Sequence, residues 1–270
     1  MVAKKRHSRT AKTRPSAARP VDAIRIVPIA APRDLFPHVA QVPPTPAPAL
    51  TYRGGPLLTA VRVFNLFIGA AWSNPQQQQL ARDLDNFFTF VLTSQLIDQL
   101  SEYNLPKFAI KHGTFLGSRV LSSIATPASV TDAWVRRTLK RAIAAGGGIP
   151  KPGANVLYFV YLPPGVTLTQ GGGRSCQSFC GYHDHIGGTI FYAAMPFPNC
   201  NGCLGALAAL DALTSTCSHE LCEAITDPIP GTGWYDDVHG EIGDICAWQT
   251  RRLGSSTVQL EWSNAEQRCR

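Results

Sequence analysis

From residue 52 onward the apolar positions switch repeatedly between strand-like and helix-like spacing. Residues 59–69 (TAVRVFNLFIG) are dense in Val, Phe and Leu between Gly-Gly-Pro and Ser-Asn-Pro, which predicts a buried first strand. Pro75 suits a first helical turn, and Leu80, Leu84, Phe87, Phe88, Val91, Leu92, Leu96 and Leu100 then recur at three-to-four spacing. They predict one long amphipathic helix over residues 76–103. Strand character returns over residues 108–121. A Thr-Asp cap opens a second helix over residues 131–145, which Gly146-Gly147-Gly148 ends. Residues 155–162 (NVLYFVYL) are almost continuously apolar, as in a strand covered on both faces. A glycine-rich, cysteine-bearing loop stretch begins at Gly171, and residues 189–196 (TIFYAAMP) form a further strand. Residues 204–226 make the last strong helix, closed by Asp227-Pro228. This alternation predicts a single α/β layered domain over residues 51–270.

Composition changes the picture mainly at the start. The formal charge of +7 invites a nucleic-acid reading, but seven of the 25 Lys and Arg residues lie in residues 1–20, which hold no acid. The remaining 18 balance 18 Asp and Glu. Residues 1–50 are therefore expected to be a disordered, basic, Pro/Ala-rich tail and linker, and no groove-reading motif follows them, so nucleic acid is not the expected partner. No run of eighteen apolar residues occurs, so no transmembrane helix is expected. The first thirty residues lack an apolar signal-peptide core of ordinary length.

The candidate chemistry centres on His219-Glu220-Leu221-Cys222-Glu223. Positions i and i+4 share a helix face, so His219 and Glu223 can reach one cation while Glu220 stands beside them as general base for a metal-bound water. HExxE alone is a weak signal. The following frame GWYDDVHGEIGDIC strengthens it, because a metal site needs a third ligand: Glu241 is favoured, Asp244 competes with it, and Asp237 and His239 are further options. A solvated acidic loop is the alternative. Zn2+ is the first choice of metal, while oxygen-rich ligation also admits Mn2+ or Ca2+. His183 and His185 bracket Asp184 in what reads as a surface loop with satisfied histidines, although one of them near the metal or an oxyanion is the functional alternative. Ser218 lacks a GxSxG frame and is discounted as a nucleophile.

Several short motifs fall in an order that resembles the phosphate-induced, Exordium-like secreted proteins. They are Tyr52-Arg53-Gly54-Gly55-Pro56-Leu57-Leu58, Gly69-Ala70-Ala71-Trp72, Phe179-Cys180-Gly181-Tyr182-His183, Cys200-Asn201-Gly202-Cys203 and the region from Thr226-Asp227-Pro228 to Cys246. The resemblance covers roughly residues 52–250. It implies secretion, and the combination of HExxE, TDP, WYD and GEIGD is similar to a branch of zincin metallopeptidases. That likeness implies a mixed twisted sheet with packed helices and an edge strand, here residues 189–196, just before the active-site helix, where an extended substrate adds as another strand. Cys176, Cys180, Cys200 and Cys203 approach four-cysteine zinc spacing, but the intervening strand and the implied export favour disulfides. Cys246 with Cys269 would tie down the C-terminus, and Cys217 and Cys222 point in different directions on one helix. The expected function is a secreted metallopeptidase acting on peptide or protein. The alternative is a non-catalytic cell-surface or cell-wall binding module with a structural metal.

Overall fold

The computed structural model describes residues 46–270, so residues 1–20 and most of the expected linker lie outside the described residues. The fold is mixed α/β. Its main sheet contains β1 (Arg62–Ile68), β2 (Thr114–Leu121), β3 (Val156–Tyr161), β4 (Tyr182–Ile186) and β5 (Ile190–Met195), in the spatial order β2-β1-β3-β5-β4. β2, β1, β3 and β5 run parallel, and β4 returns antiparallel beside β5.

Strand alternation splits the core into two. Val63, Phe67, Leu157, Phe159, Tyr161, Ala193 and Met195 point to one face, where α1 (Pro75–Val91) and α3 (Ala209–Thr226) cover them. Phe64, Leu66, Ile68, Tyr158, Val160, Tyr192 and Ala194 point to the other, under α2 (Asp132–Ala145). Because β1, β3 and β5 are buried on both faces, they read as near-continuous apolar runs.

Two sequence expectations are corrected. The long helix of residues 76–103 is interrupted: α1 ends at Val91, a short turn of helix spans Gln95–Asp98, and a 3-10 helix spans Gln99–Tyr103. Thr93 and Ser94 turn their hydroxyls back onto the carbonyls of Phe90 and Val91, and the Ser94 hydroxyl then accepts from the Leu96 N–H as a new cap. Leu96 and Leu100 are buried all the same, so the apolar period runs through the break unseen. The strand at residues 189–196 is not the edge. A hairpin through Gly187-Gly188, both at positive φ, folds β4 outside β5, which leaves β4 as the edge strand.

The same pleat sends successive β4 side chains to opposite sides. Tyr182 and Asp184 face α2, where the Tyr192 and Tyr182 hydroxyls donate to Asp132 at 2.5 and 2.9 Å and Arg136 pairs with Asp184 at 3.2 Å. This buried network pins α2 to the edge hairpin. Tyr192→Phe, which removes one hydrogen bond to a carboxylate, is expected to lower unfolding free energy by about 2 kcal/mol. Denaturant titration checks it, and metal content should not change.

The cysteines that approach zinc spacing are paired as disulfides Cys176–Cys200 and Cys180–Cys203, with a third between Cys246 and Cys269. The first two tie the approach to β4 onto the segment holding the helical turn Asn201–Leu204, just ahead of α3. Cys217 and Cys222 are unpaired and buried. Three disulfides accord with an oxidising location, and no helix among the described residues is long and apolar enough to cross a membrane.

Candidate metal centre

α3 is buried along its whole length from Ala212, so the His-Glu pair faces the interior. His219 Nε2 lies 3.0 Å from Glu223 Oε1, one turn along the helix. The helix stops at Asp227, held out of helical geometry by Pro228. The Asp227 carboxylate collects the N–H groups of Gly231, Thr232 and Gly233 at 2.6, 3.0 and 2.6 Å, and so fixes the following turn.

His183 belongs to the same site. It stands on β4, opposite Ala193 and on the face covered by α3, and is 1% exposed. Its Nε2 is 3.0 Å from the Asp227 carbonyl oxygen, which can only accept. A proton therefore sits on Nε2, and Nδ1 faces Glu220 Oε2 at 3.4 Å and Glu223 Oε2 at 3.5 Å. The surface-loop expectation for His183 is thus corrected. His185 lies on the same strand, not in a loop, but it is half-buried and satisfied, accepting from the Gly188 N–H.

The acidic loop divides its residues between structure and site. Trp234–Tyr235 pairs with Thr51–Tyr52, and Asp236 caps the turn through the N–H groups of Val238 and His239. His239 is bound to Asp236 at 2.9 Å, and Asp237, with 88% of its side chain exposed, pairs with Arg53. Neither joins the cluster. Asp244, the competing third ligand, falls in one set with His219 and Glu223, whose donor atoms all lie within 4.8 Å of one another, whereas the favoured Glu241 belongs to no such set among the described residues and reaches His183 instead, Oε1 lying 3.5 Å from Nε2. The Asp244 N–H donates to Glu223 Oε1 at 3.1 Å.

Gly243 sits directly on the His219 ring. A Cβ there would stand 2.6 Å from Nδ1, so this position must be glycine for reasons of space. Gly243→Ala is expected to push His219 aside and weaken metal binding about 10- to 100-fold, the usual cost of losing support behind a ligand. Isothermal titration of the metal-free variant measures it.

Two residues in the C-terminal hairpin complete the surroundings. The Gln259 amide reaches His219 Nδ1 at 2.7 Å and the Gly243 carbonyl at 2.9 Å. The amide oxygen accepts from the Trp248 N–H at 3.3 Å, which fixes the amide with its nitrogen toward His219. Glu261 is fully buried, and its carboxylate acts electrostatically on His219 and Glu223. Ser218 spends its hydroxyl on the Ser215 carbonyl and the Gln259 N–H, a structural use.

Four fully buried carboxylates, those of Glu220, Glu223, Glu241 and Glu261, thus share the interior with two imidazoles. No Lys or Arg appears in the ion pairs that join them. Burial holds Glu241 and Glu261 well above the usual carboxylate range, and Glu220 is raised for the same reason. Burial also opposes charge on Glu223 and His219, but their mutual attraction prevails. It lowers Glu223 to about 2 and raises His219 to about 10. Burial likewise opposes charge on His183, and Glu241 outweighs it, lifting the pKa well above 6.5. Both oxygens of Glu220, Glu241 and Glu261, together with His183 Nδ1 and His219 Nε2, have no hydrogen-bond partner. Buried polar atoms are rarely left so. Donors of this kind, soft nitrogen with hard oxygen, fit a divalent cation.

Neither a family model, nor a curated protein, nor a solved structure matches the chain. The likeness to Exordium-like and zincin proteins therefore stands on the short motifs themselves.

His183, Gln259 and Glu261 were not singled out as site residues from sequence. For His183 a signal existed: YHDHI read as a strand puts residues 183 and 185 on one face. Gln259 and Glu261 carry none, since they reach α3 only through the packing of the C-terminal hairpin Thr250–Leu253 and Ser256–Gln259 against it.

Proposed function

We propose that this protein is a metal-dependent hydrolase of the zincin type, acting on peptide or protein outside the cell. His219 Nε2, Glu223 and Asp244 hold the cation, with Glu241 as the next carboxylate. The cation, Zn2+ in the first instance and Mn2+ or Ca2+ by the same donor chemistry, would polarise a carbonyl and acidify a water. Glu220 would take the proton of that water, a role suited to a carboxylate whose pKa burial has raised. The antiparallel edge strand β4 borders the site through His183, and an extended peptide adding to that edge would lie alongside it.

The observation that carries this reading is the convergence of unpartnered, buried nitrogen and carboxylate oxygen atoms on α3 and the loop after it. One observation favours a different use of the same donors. Glu220 is 0% exposed, which suits a structural cation in a non-catalytic secreted module. Cleavage of a broad peptide library by the purified, oxidised protein separates the two. Activity abolished by a chelator and restored by metal supports the hydrolase. Metal that raises thermal stability without any cleavage leaves only the structural role.

A further inference from the structure

Glu223 does not aim both carboxylate oxygens at one place. Oε1 faces His219 Nε2 at 3.0 Å, and Oε2 faces His183 Nδ1 at 3.5 Å. Donor atoms within 4.8 Å of one another therefore form two sets. One is His219, Glu223 and Asp244; the other is His183, Glu220 and Glu223. They share Glu223 alone, and no such set among the described residues contains both imidazoles. One ion on His219 would leave His183 Nδ1 and Glu220 Oε2, 3.4 Å apart, with only a proton to join them.

We propose that the site holds two divalent cations bridged by the Glu223 carboxylate, the second bound by His183 Nδ1, Glu220 Oε2 and Glu223 Oε2. This deepens the proposed function and rests on the first cation being present. A carboxylate bridging through its two oxygens spans cations about 3.5–4 Å apart, the spacing of two-metal hydrolytic centres.

Three independent features prepare the second position. The Asp227 carbonyl, presented where α3 breaks at Pro228, accepts from the His183 Nε2–H and leaves Nδ1 directed at the carboxylates. His183 is 1% exposed, so Nδ1 must find its partner within the site. Glu220, also fully buried, has no hydrogen-bond donor on either oxygen. With Oε2 engaged, Oε1 of Glu220 stays available to accept a proton, so the base role survives.

Charge points the same way. Glu220, Glu223, Glu241, Glu261 and Asp244 place five carboxyl groups around two imidazoles. An uncompensated buried charge costs several kcal/mol.

Metal stoichiometry tests this on the full oxidised chain, stripped with a chelator and titrated with Zn2+ by calorimetry, with elemental analysis after desalting. Oxidised conditions keep Cys176, Cys200 and Cys203 in their disulfides and out of the count. Two equivalents per chain are expected. His183→Ala should bind one and Asp244→Asn should weaken the other, while Glu223→Gln should weaken both at least tenfold. His183→Gln, which keeps polarity and approximate volume, should also bind one, and it guards against loss of fold in the alanine variant. One equivalent in the wild type overturns the two-cation site and leaves the one-metal reading standing, with a proton on His183 as the second occupant. Two equivalents retained in both folded His183 variants overturn the placement. No binding at all overturns the proposed function with it.

Discussion

Glu220→Gln is expected to lower peptide hydrolysis by about 10²- to 10⁴-fold, the ordinary contribution of a positioned general base. That corresponds to roughly 3–5 kcal/mol of lost transition-state stabilisation. The substitution keeps shape and volume at a fully buried position, so the fold should survive. It leaves His219, Glu223 and Asp244 intact, so at least one equivalent of metal should remain. The prediction is thus a loss of kcat at retained metal, read from steady-state kinetics together with elemental analysis. A fully active variant would remove Glu220 from the chemistry. A variant that loses all metal would make Glu220 a ligand essential to the first cation.

Stripping the metal is expected to lower Tm by roughly 10 °C at neutral pH. A cation at a thousandfold excess over its Kd stabilises by about 4 kcal/mol, and a chain of this size loses about 2–4 °C per kcal/mol. The metal-free protein should also become less stable as pH rises from 5 to 8. Burial raises the pKa values of Glu220, Glu241 and Glu261 above those of the unfolded chain. The metal-free fold therefore holds protons that the unfolded chain releases, and its stability is full at acidic pH and lost as pH passes the raised values. His219, raised from 6.5 to about 10, contributes in the same sense, its share being full below 6.5 and lost as pH rises from there through about 10. Glu223, at about 2, acts oppositely, but its contribution is complete above its ordinary value of 4.5 and constant from there. Metal binding needs deprotonated donors, so the gap between loaded and stripped protein should widen with pH. Thermal melts from pH 5 to 8, with and without chelator, measure both slopes. A stripped protein that gains stability over that range would contradict the buried-carboxylate account.

The sequence by itself determined the features that local geometry controls. The Thr131 cap of α2, the apolar strands β1 and β3 and the stop of α3 at Asp227-Pro228 each follow from residues close together in the chain. So does the placing of His219 and Glu223 one helical turn apart, which depends on 3.6 residues per turn and nothing else. The break in the helix after Val91 was hidden because apolar spacing continues across it; only the hydroxyls of Thr93 and Ser94 mark it.

Only the tertiary structure decided what meets those residues. Which strand forms the edge depends on how the β4–β5 hairpin adds to the sheet, and chain order does not encode that. Which acids of residues 236–244 turn inward depends on the hydrogen bonds that occupy Asp236 and Asp237 elsewhere. His183 and Glu261 come to the His-Glu helix from 36 and 42 residues away from His219, through strand pleat and hairpin packing. Helical periodicity acts over one turn, whereas a cation gathers its ligands through space. The helical half of the candidate site was therefore legible in the sequence, and the half that surrounds it was not.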